Sequence, residues 1–359
     1  MANIKAVADF PGGARARIAR AGWIHSALFD GLLLIFAPLL TLPIIVAIYF
    51  NIPLLAIGGG LTLAFSHYFS TISFYFWREN HQYHRTRWIA FFLGPAILAG
   101  LYFLLLGFEI PYVIQFVLFF WNTFHVSRQN CGILGLYRSA GGVADPEQQQ
   151  RHAANRAIIA TSTFLALWNI DTHKEVSALF ALVSNDVSLV VRIATSIIAA
   201  YYLMRLGIAL VWRKQPLGTP EALFLGSSLL FFWPYLYIKD SGVATFAMLL
   251  PHYVQYLALV WLLHRRKFGG ASEGAPRVLL RMSGKLILLL PVLFVVGFGS
   301  YEFWKISHEF GFEWHFETLY LLIALEHFYL DGLIWSFRRP HVRQTILPFL
   351  VRRPARISA

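Results

Sequence analysis

The residues with the clearest capacity for chemistry lie near the C-terminus, in Glu326-His327-Phe328-Tyr329-Leu330-Asp331-Gly332-Leu333-Ile334-Trp335. The stretch falls inside an apolar run, Phe316 to Phe337, that reads as a membrane-spanning helix. His327 and Asp331 are four residues apart and share one helix face. An aspartate inside a hydrophobic span costs roughly 2.5–3.5 kcal/mol on insertion scales, so such a residue faces a partner, a water-filled cavity or a metal. Glu326 adjoins His327 but points about 100° away around the helix, which makes it a poorer ligand of the same centre.

The same chemistry recurs on other spans. His67, His125 and His252 each sit inside an apolar run, with Gln129 and Gln255 following one turn later. His81 and His84 lie just beyond the second span, in the polar stretch from Arg78 to Arg87. The first helix brings His25 and Asp30 to a similar level. Neutral imidazoles with a carboxylate suit iron, zinc, copper or manganese, whereas magnesium and calcium prefer all-oxygen cages. The expected ligands are therefore His67, His81, His84, His125, His252, His327 and Asp331, holding one metal or two with bridging ligands. Asp331 would serve as carboxylate ligand or proton carrier, and Gln129 and Gln255 would hold ring nitrogens in the right tautomer.

The elements that must position these groups follow from composition. Of 359 residues, 57% are hydrophobic and only 13% charged, and the mean hydropathy is +0.58. A soluble domain carries about 25% charged residues. The chain thus reads as all-α, a polytopic membrane bundle, since the short alternating strands of an outer-membrane barrel are absent.

Ten spans are expected. They run over about Trp23–Phe50, Pro53–Trp77, Trp88–Leu106, Ile110–Tyr137, Ala157–Ile170, Val187–Trp212, Glu221–Ile238, Val243–Leu263, Leu286–Trp304 and Phe316–Phe337. Pro38 and Pro43 should bend the first, and Gly58-Gly59-Gly60 marks close packing or a kink. The longest polar loop is Ser139 to Ala154. With both termini cytoplasmic, only Lys174, Arg192, Lys239 and Lys305 of the 30 Lys and Arg fall outside or at the outer boundary. The whole chain, 1–359, then forms one transmembrane domain in a membrane such as the bacterial inner membrane, with a cytoplasmic arm (1–23) and a basic tail (338–359). In this topology the four intramembrane histidines fall at the middle or inner half of their helices.

The net charge of +12 is explained by positive-inside loops rather than by nucleic acid. A single cysteine, Cys131, excludes an internal disulfide and a thiolate cluster within one chain. Phosphate-binding glycine loops, a dinucleotide fingerprint and a His-Glu-x-x-His helix are all absent from the sequence. Three functional classes remain open beside a purely structural membrane scaffold. One is a metalloenzyme, and another is a metal-ion or proton transporter using a His/Asp relay. The third is a haem protein with two axial histidines. The outer halves of the His-bearing spans are nearly all apolar, which counts against a relay.

In its inner-side histidines and in His81-Gln82-Tyr83-His84, a partial H-x-x-H box, the sequence resembles the membrane non-haem di-iron desaturases and hydroxylases. It departs from them at Arg85, where a second adjacent histidine is expected, and in lacking an H-x-x-x-H box. Single histidines buried on separate spans are more similar to the retinal-forming membrane carotene dioxygenases. The resemblance implies non-haem iron, O₂, a lipophilic substrate and His67, His125, His252 and His327 as the matching ligand type. An electron-donor protein would accompany the desaturase type.

Overall fold

Apolar runs punctuated by proline and glycine fold as expected for a helical chain. The computed structural model describes residues 22–50, 52, 58–108, 110–141, 148–170, 186–211, 217–268 and 286–351. Every regular element among them is helical. In order these are α1 (Ala27–Asp30), α2 (Thr41–Tyr49), α3 (Gly59–Ile72), α4 (Arg78–Thr86) and α5 (Gly94–Gly107). Next come α6 (Pro111–Ala140), α7 (Gln148–Ala166), α8 (Asp186–Val211), α9 (Thr219–Leu229) and α10 (Pro234–Tyr237). The chain continues through α11 (Ser241–Phe268), α12 (Leu286–Glu309), α13 (Glu313–Ile334), α14 (Pro340–Thr345) and α15 (Leu347–Leu350).

Helix α11 is the hub. It packs against α3, α10, α15 and the first helical segment, while α13 packs on α3, α5 and α6. Two apolar clusters share these helices. One contains Ala64, Tyr68, Val126, Met248, Tyr253 and Phe328. The other contains Phe74, Trp77, Leu134, Tyr256, Leu262 and Ile334. His67, His252 and His327 fall at the seam between them, so the polar groups lie under apolar packing on both sides.

Proline explains where the expected spans break. The run Trp23–Phe50 is not one bent helix: α1 continues through a π-helical turn, Gly31–Ile35, then a 3-10 turn, Ala37–Leu40, before α2. Pro38 has no N–H to carry a regular helix through this point. The entry to α1 is held from within, because the Asp30 carboxylate accepts from the Ile24 N–H at 2.6 Å and the His25 N–H at 3.1 Å. Asp30 is therefore occupied in capping the chain. Likewise, the run Glu221–Ile238 is divided into α9 and α10 ahead of Pro234.

Other segments are more ordered than polarity suggests. The polar stretch after the second span is helix α4, with Glu79 in its first turn and His84 and Arg85 in its last, the arrangement that suits the helix dipole. Most of the expected loop Ser139–Ala154 is helical at its ends, and 142–147 lie outside the described residues. The described part of the basic tail buries Val342, Ile346 and Leu350. Arg266 clamps it by donating to the carbonyls of Phe349 at 3.0 Å, Leu350 at 2.7 Å and Ile24 at 2.7 Å. The arm 1–21, residues 53–57 of the second span and the tail end 352–359 lie outside the described residues.

Among the described residues three helices are long and apolar enough to cross a membrane: Ile89–Gly107, Val187–Val211 and Ser241–Phe268. Proline divides some of the expected runs, and helices such as α6 and α13 carry polar groups that lower their hydropathy.

Candidate metal centre

Four helices each contribute one histidine to a common point. His67 comes from α3, His125 from α6, His252 from α11 and His327 from α13. One ligand atom from each lies within 4.8 Å of all the others. The rings pack edge to face, with centroids 4.1 Å apart for His67 and His327, 4.8 Å for His67 and His252, and 5.1 Å for His125 and His252. His67 and His252 are wholly buried and His327 is 3% exposed. Pro251 helps set this geometry, since it removes an N–H from the α11 ladder immediately before His252.

The decisive feature is what the rings do not bond. Both nitrogens of His67, both of His252, and Nε2 of His125 and His327 are buried without a hydrogen-bond partner. Leaving one buried polar group unsatisfied costs about 1–3 kcal/mol. Native interiors rarely carry such a group without an ion, a water or a function to explain it. One nitrogen from each of the four rings converges on a common point, the arrangement of a metal site in which each neutral imidazole offers its single lone pair. Nitrogens bound to one ion at about 2.0–2.1 Å lie no more than about 4.2 Å apart. That limit is reached by an opposed pair, and in a tetrahedral site the nitrogens lie about 3.4 Å apart, so the rings would draw together on binding.

A hydroxyl hub orients the centre. Thr71 Oγ1 lies 2.8 Å from His327 Nδ1, 2.9 Å from the Tyr256 hydroxyl and 3.1 Å from Asp331 Oδ1. Tyr256 donates to Asp331 Oδ1 at 2.8 Å and accepts from Trp335 Nε1 at 3.1 Å. Asp331 Oδ1 is thus held by two donors, while Oδ2 faces the rings, 3.4 Å from His327 Nε2 and 3.9 Å from His125 Nε2. This leaves one carboxylate oxygen for a metal or a proton. His327 Nδ1 is engaged by Thr71, so its Nε2 is the nitrogen offered to the centre.

Gln129 and Gln255 touch no imidazole nitrogen. Gln129 Nε2 donates to the His252 carbonyl at 3.3 Å and to Gln255 Oε1 at 3.2 Å, and Gln255 Nε2 donates to the Leu34 carbonyl at 2.8 Å. They tie α6 and α11 to the π-helical turn of the first segment. Their bonds go to backbone carbonyls and to each other rather than to a ring nitrogen, unlike the expected tautomer-holding contact.

His81 and His84 are not members of the four-histidine group. His84 lies between Tyr75 and Phe91, with centroids at 4.7 and 4.2 Å. Burial, with smaller contributions from His341 and His81, pushes its pKa down to about 4.

Reasoning from sequence passed over Thr71 and Tyr256, although a signal was present. Thr71 follows His67, Tyr256 follows His252, Gln129 follows His125 and Asp331 follows His327, each by four residues. The i, i+4 spacing that singled out Asp331 applies equally to the other three helices. On α11 it selects Tyr256 rather than Gln255. Against this geometry stands one comparative result: no family model, curated protein or solved structure matches the chain.

Proposed function

We propose that the protein is a membrane-embedded, non-haem iron oxidoreductase acting on a lipophilic substrate with O₂, in the manner of an oxygenase, hydroxylase or desaturase. The observation that carries this reading is the convergence of partnerless imidazole nitrogens from four helices beside the free oxygen of Asp331. Bound iron would supply redox chemistry and activation of O₂. The donor set favours one ion over two, because a bridged pair calls for several carboxylates and Asp331 is the one that faces the rings. Zinc, copper and manganese suit the same donors and are decided by the metal assay below.

The residues divide the remaining work. Thr71 and Tyr256 fix Asp331 Oδ1, so that Oδ2 can bind the ion or carry a proton. Aromatic packing around Phe328 and Tyr253 covers part of the ring cluster. The reading includes ten spans with both termini cytoplasmic in a bacterial inner membrane, which places the centre toward the cytoplasmic side, where an electron-donor protein has access. A bis-histidine haem is disfavoured by the rings themselves, since four imidazoles packed edge to face leave no slot for a flat macrocycle.

Elemental analysis of protein purified without a histidine tag tests the proposal. Near-stoichiometric iron that disappears in His327→Ala, with helicity retained, is the expected result. Wild-type protein free of metal after iron-supplemented expression would overturn it, and a transition metal other than iron would replace the assignment.

A further inference from the structure

The centre is not sealed. A cavity of about 1010 Å³ reaches it, with His125, Tyr256 and Asp331 in its lining. That is the upper end of the roughly 300–1,000 Å³ typical of small-molecule sites. Its two ends differ in chemistry. Along one face of α6 the lining residues are Trp121, Phe124 and His125, then Arg128, Gly132 and Leu136. Trp121, Phe124 and Phe328 form an apolar end, where Phe124 is 54% exposed. The other end collects Arg128, Arg151, Arg156, Arg338 and Arg343 from α6, α7 and the segment after α13. Asp331 is the one carboxylate among the lining residues.

We infer that this cavity is an amphiphile site: the arginine mouth holds the anionic head of a long-chain acyl substrate whose chain runs past His125 and Asp331 to the Trp121–Phe124–Phe328 end. The inference rests on the oxidoreductase reading and names the substrate class of the same centre. Positive-inside topology accounts for arginines near a membrane surface, but it gives no reason for five of them, from three separate segments, to line one cavity leading to a buried aspartate. Guanidinium groups are the preferred partners of carboxylate and phosphate because their planar donors match two oxygens at once. Trp121 to Leu136 spans about 22 Å of helix, the order of length of an extended sixteen-carbon chain. Phe124, exposed at the apolar end, marks a lateral opening through which a chain would enter from lipid.

The test is equilibrium binding of palmitate, hexadecanol and inorganic phosphate to the full-length protein in phosphatidylcholine nanodiscs, with metal content measured on each sample. Palmitate should bind at least tenfold more tightly than hexadecanol. The double variant Arg338→Gln/Arg343→Gln should lose that preference while keeping its metal. Gly132→Phe provides an independent arm, because Gly132 lines the cavity and a Cβ there meets no atom within 4 Å, so the ring has room to start into the cavity. It should abolish palmitate binding and leave the metal in place. Equal affinity for palmitate and hexadecanol in the wild type would overturn the inference. So would displacement of palmitate by equimolar phosphate, which would make the mouth a site for a soluble anion. Palmitate selectivity in a metal-free protein would support the amphiphile site and remove the metalloenzyme reading, so the two failures are distinct.

Discussion

Among the described residues two groups of histidines can be compared, one around α4 and one at the seam of α3, α6, α11 and α13, and the second alone forms a group that could hold a metal ion. Around α4, His341 Nε2 meets Asn80 Oδ1 at 2.8 Å, Asn80 donates to the Phe74 carbonyl at 2.9 Å, and Tyr83 stacks on His341 at 4.0 Å. His84 beside them is enclosed by aromatic rings. This is a packed polar cluster in which Asn80 and His341 are hydrogen-bonded and the rings of Tyr83, His84 and His341 are stacked or enclosed. At the seam of α3, α6, α11 and α13 the reverse holds: buried nitrogens face one another with no partner of their own. Histidine count does not separate the two groups. The direction and satisfaction of the ring nitrogens does.

The comparison can be broken most directly by deletion. His67→Ala or His252→Ala should reduce bound metal to below about a tenth of wild type, as expected when a ligand itself is lost, whereas His84→Ala should leave it unchanged by elemental analysis. If His84→Ala also strips the metal, the two groups act as one centre and the distinction fails. Next in size are the groups that aim the ligands. Thr71→Val and Asp331→Asn should each weaken metal affinity by roughly 10–100-fold in a chelator competition. Asp331→Asn should have the larger effect, because it also removes the charge of Oδ2.

A smaller change is expected from packing. The ring of Phe246 occupies the space that a side chain on Gly60 would need, which is how α3 comes close to α11. Gly60→Ala should cost about 1–3 kcal/mol of stability, read as a lowered Tm in detergent, and should loosen the metal without affecting the cluster at α4. The smallest effect belongs to pH. The His84 pKa is lowered in the folded protein, from 6.5 to about 4. Between those values the unfolded chain binds the extra proton, so stability falls as pH drops from about 6.5 toward 4 and levels off below. His84→Gln should flatten the slope of Tm against pH in that window. An unchanged slope would assign it to other groups.

A second contrast shows why the bundle was legible before its site. Val187–Val211 and Ser241–Phe268 are both apolar enough to span a membrane, yet 6% of the first is buried within the protein and 72% of the second. Hydropathy alone reports that each avoids water. It cannot distinguish a helix with an outward apolar surface from the hub that packs on α3 and carries His252, because both are apolar in composition. The same blindness affects charge. His81 and His84 looked like an extension of the ligand set because they lie close in sequence to the second span, but α4 leaves His81 exposed and sets His84 between Tyr75 and Phe91.

By itself the sequence determined that the chain is helical and largely apolar, and that four of its runs bury a histidine with a polar residue one turn away. Those properties follow from composition and from the 3.6-residue period, which act locally. Tertiary structure alone decided that the four rings meet at one point and that Thr71 and Tyr256 hold Asp331. It also decided that the glutamines bond backbone instead of imidazole, and that five arginines from three segments face one cavity. Each of these depends on how helices far apart in the chain rotate and cross. Those angles are set by close approaches such as Gly60 against Phe246 and by the proline breaks at Pro38 and Pro234, whose consequences fall on residues distant in sequence.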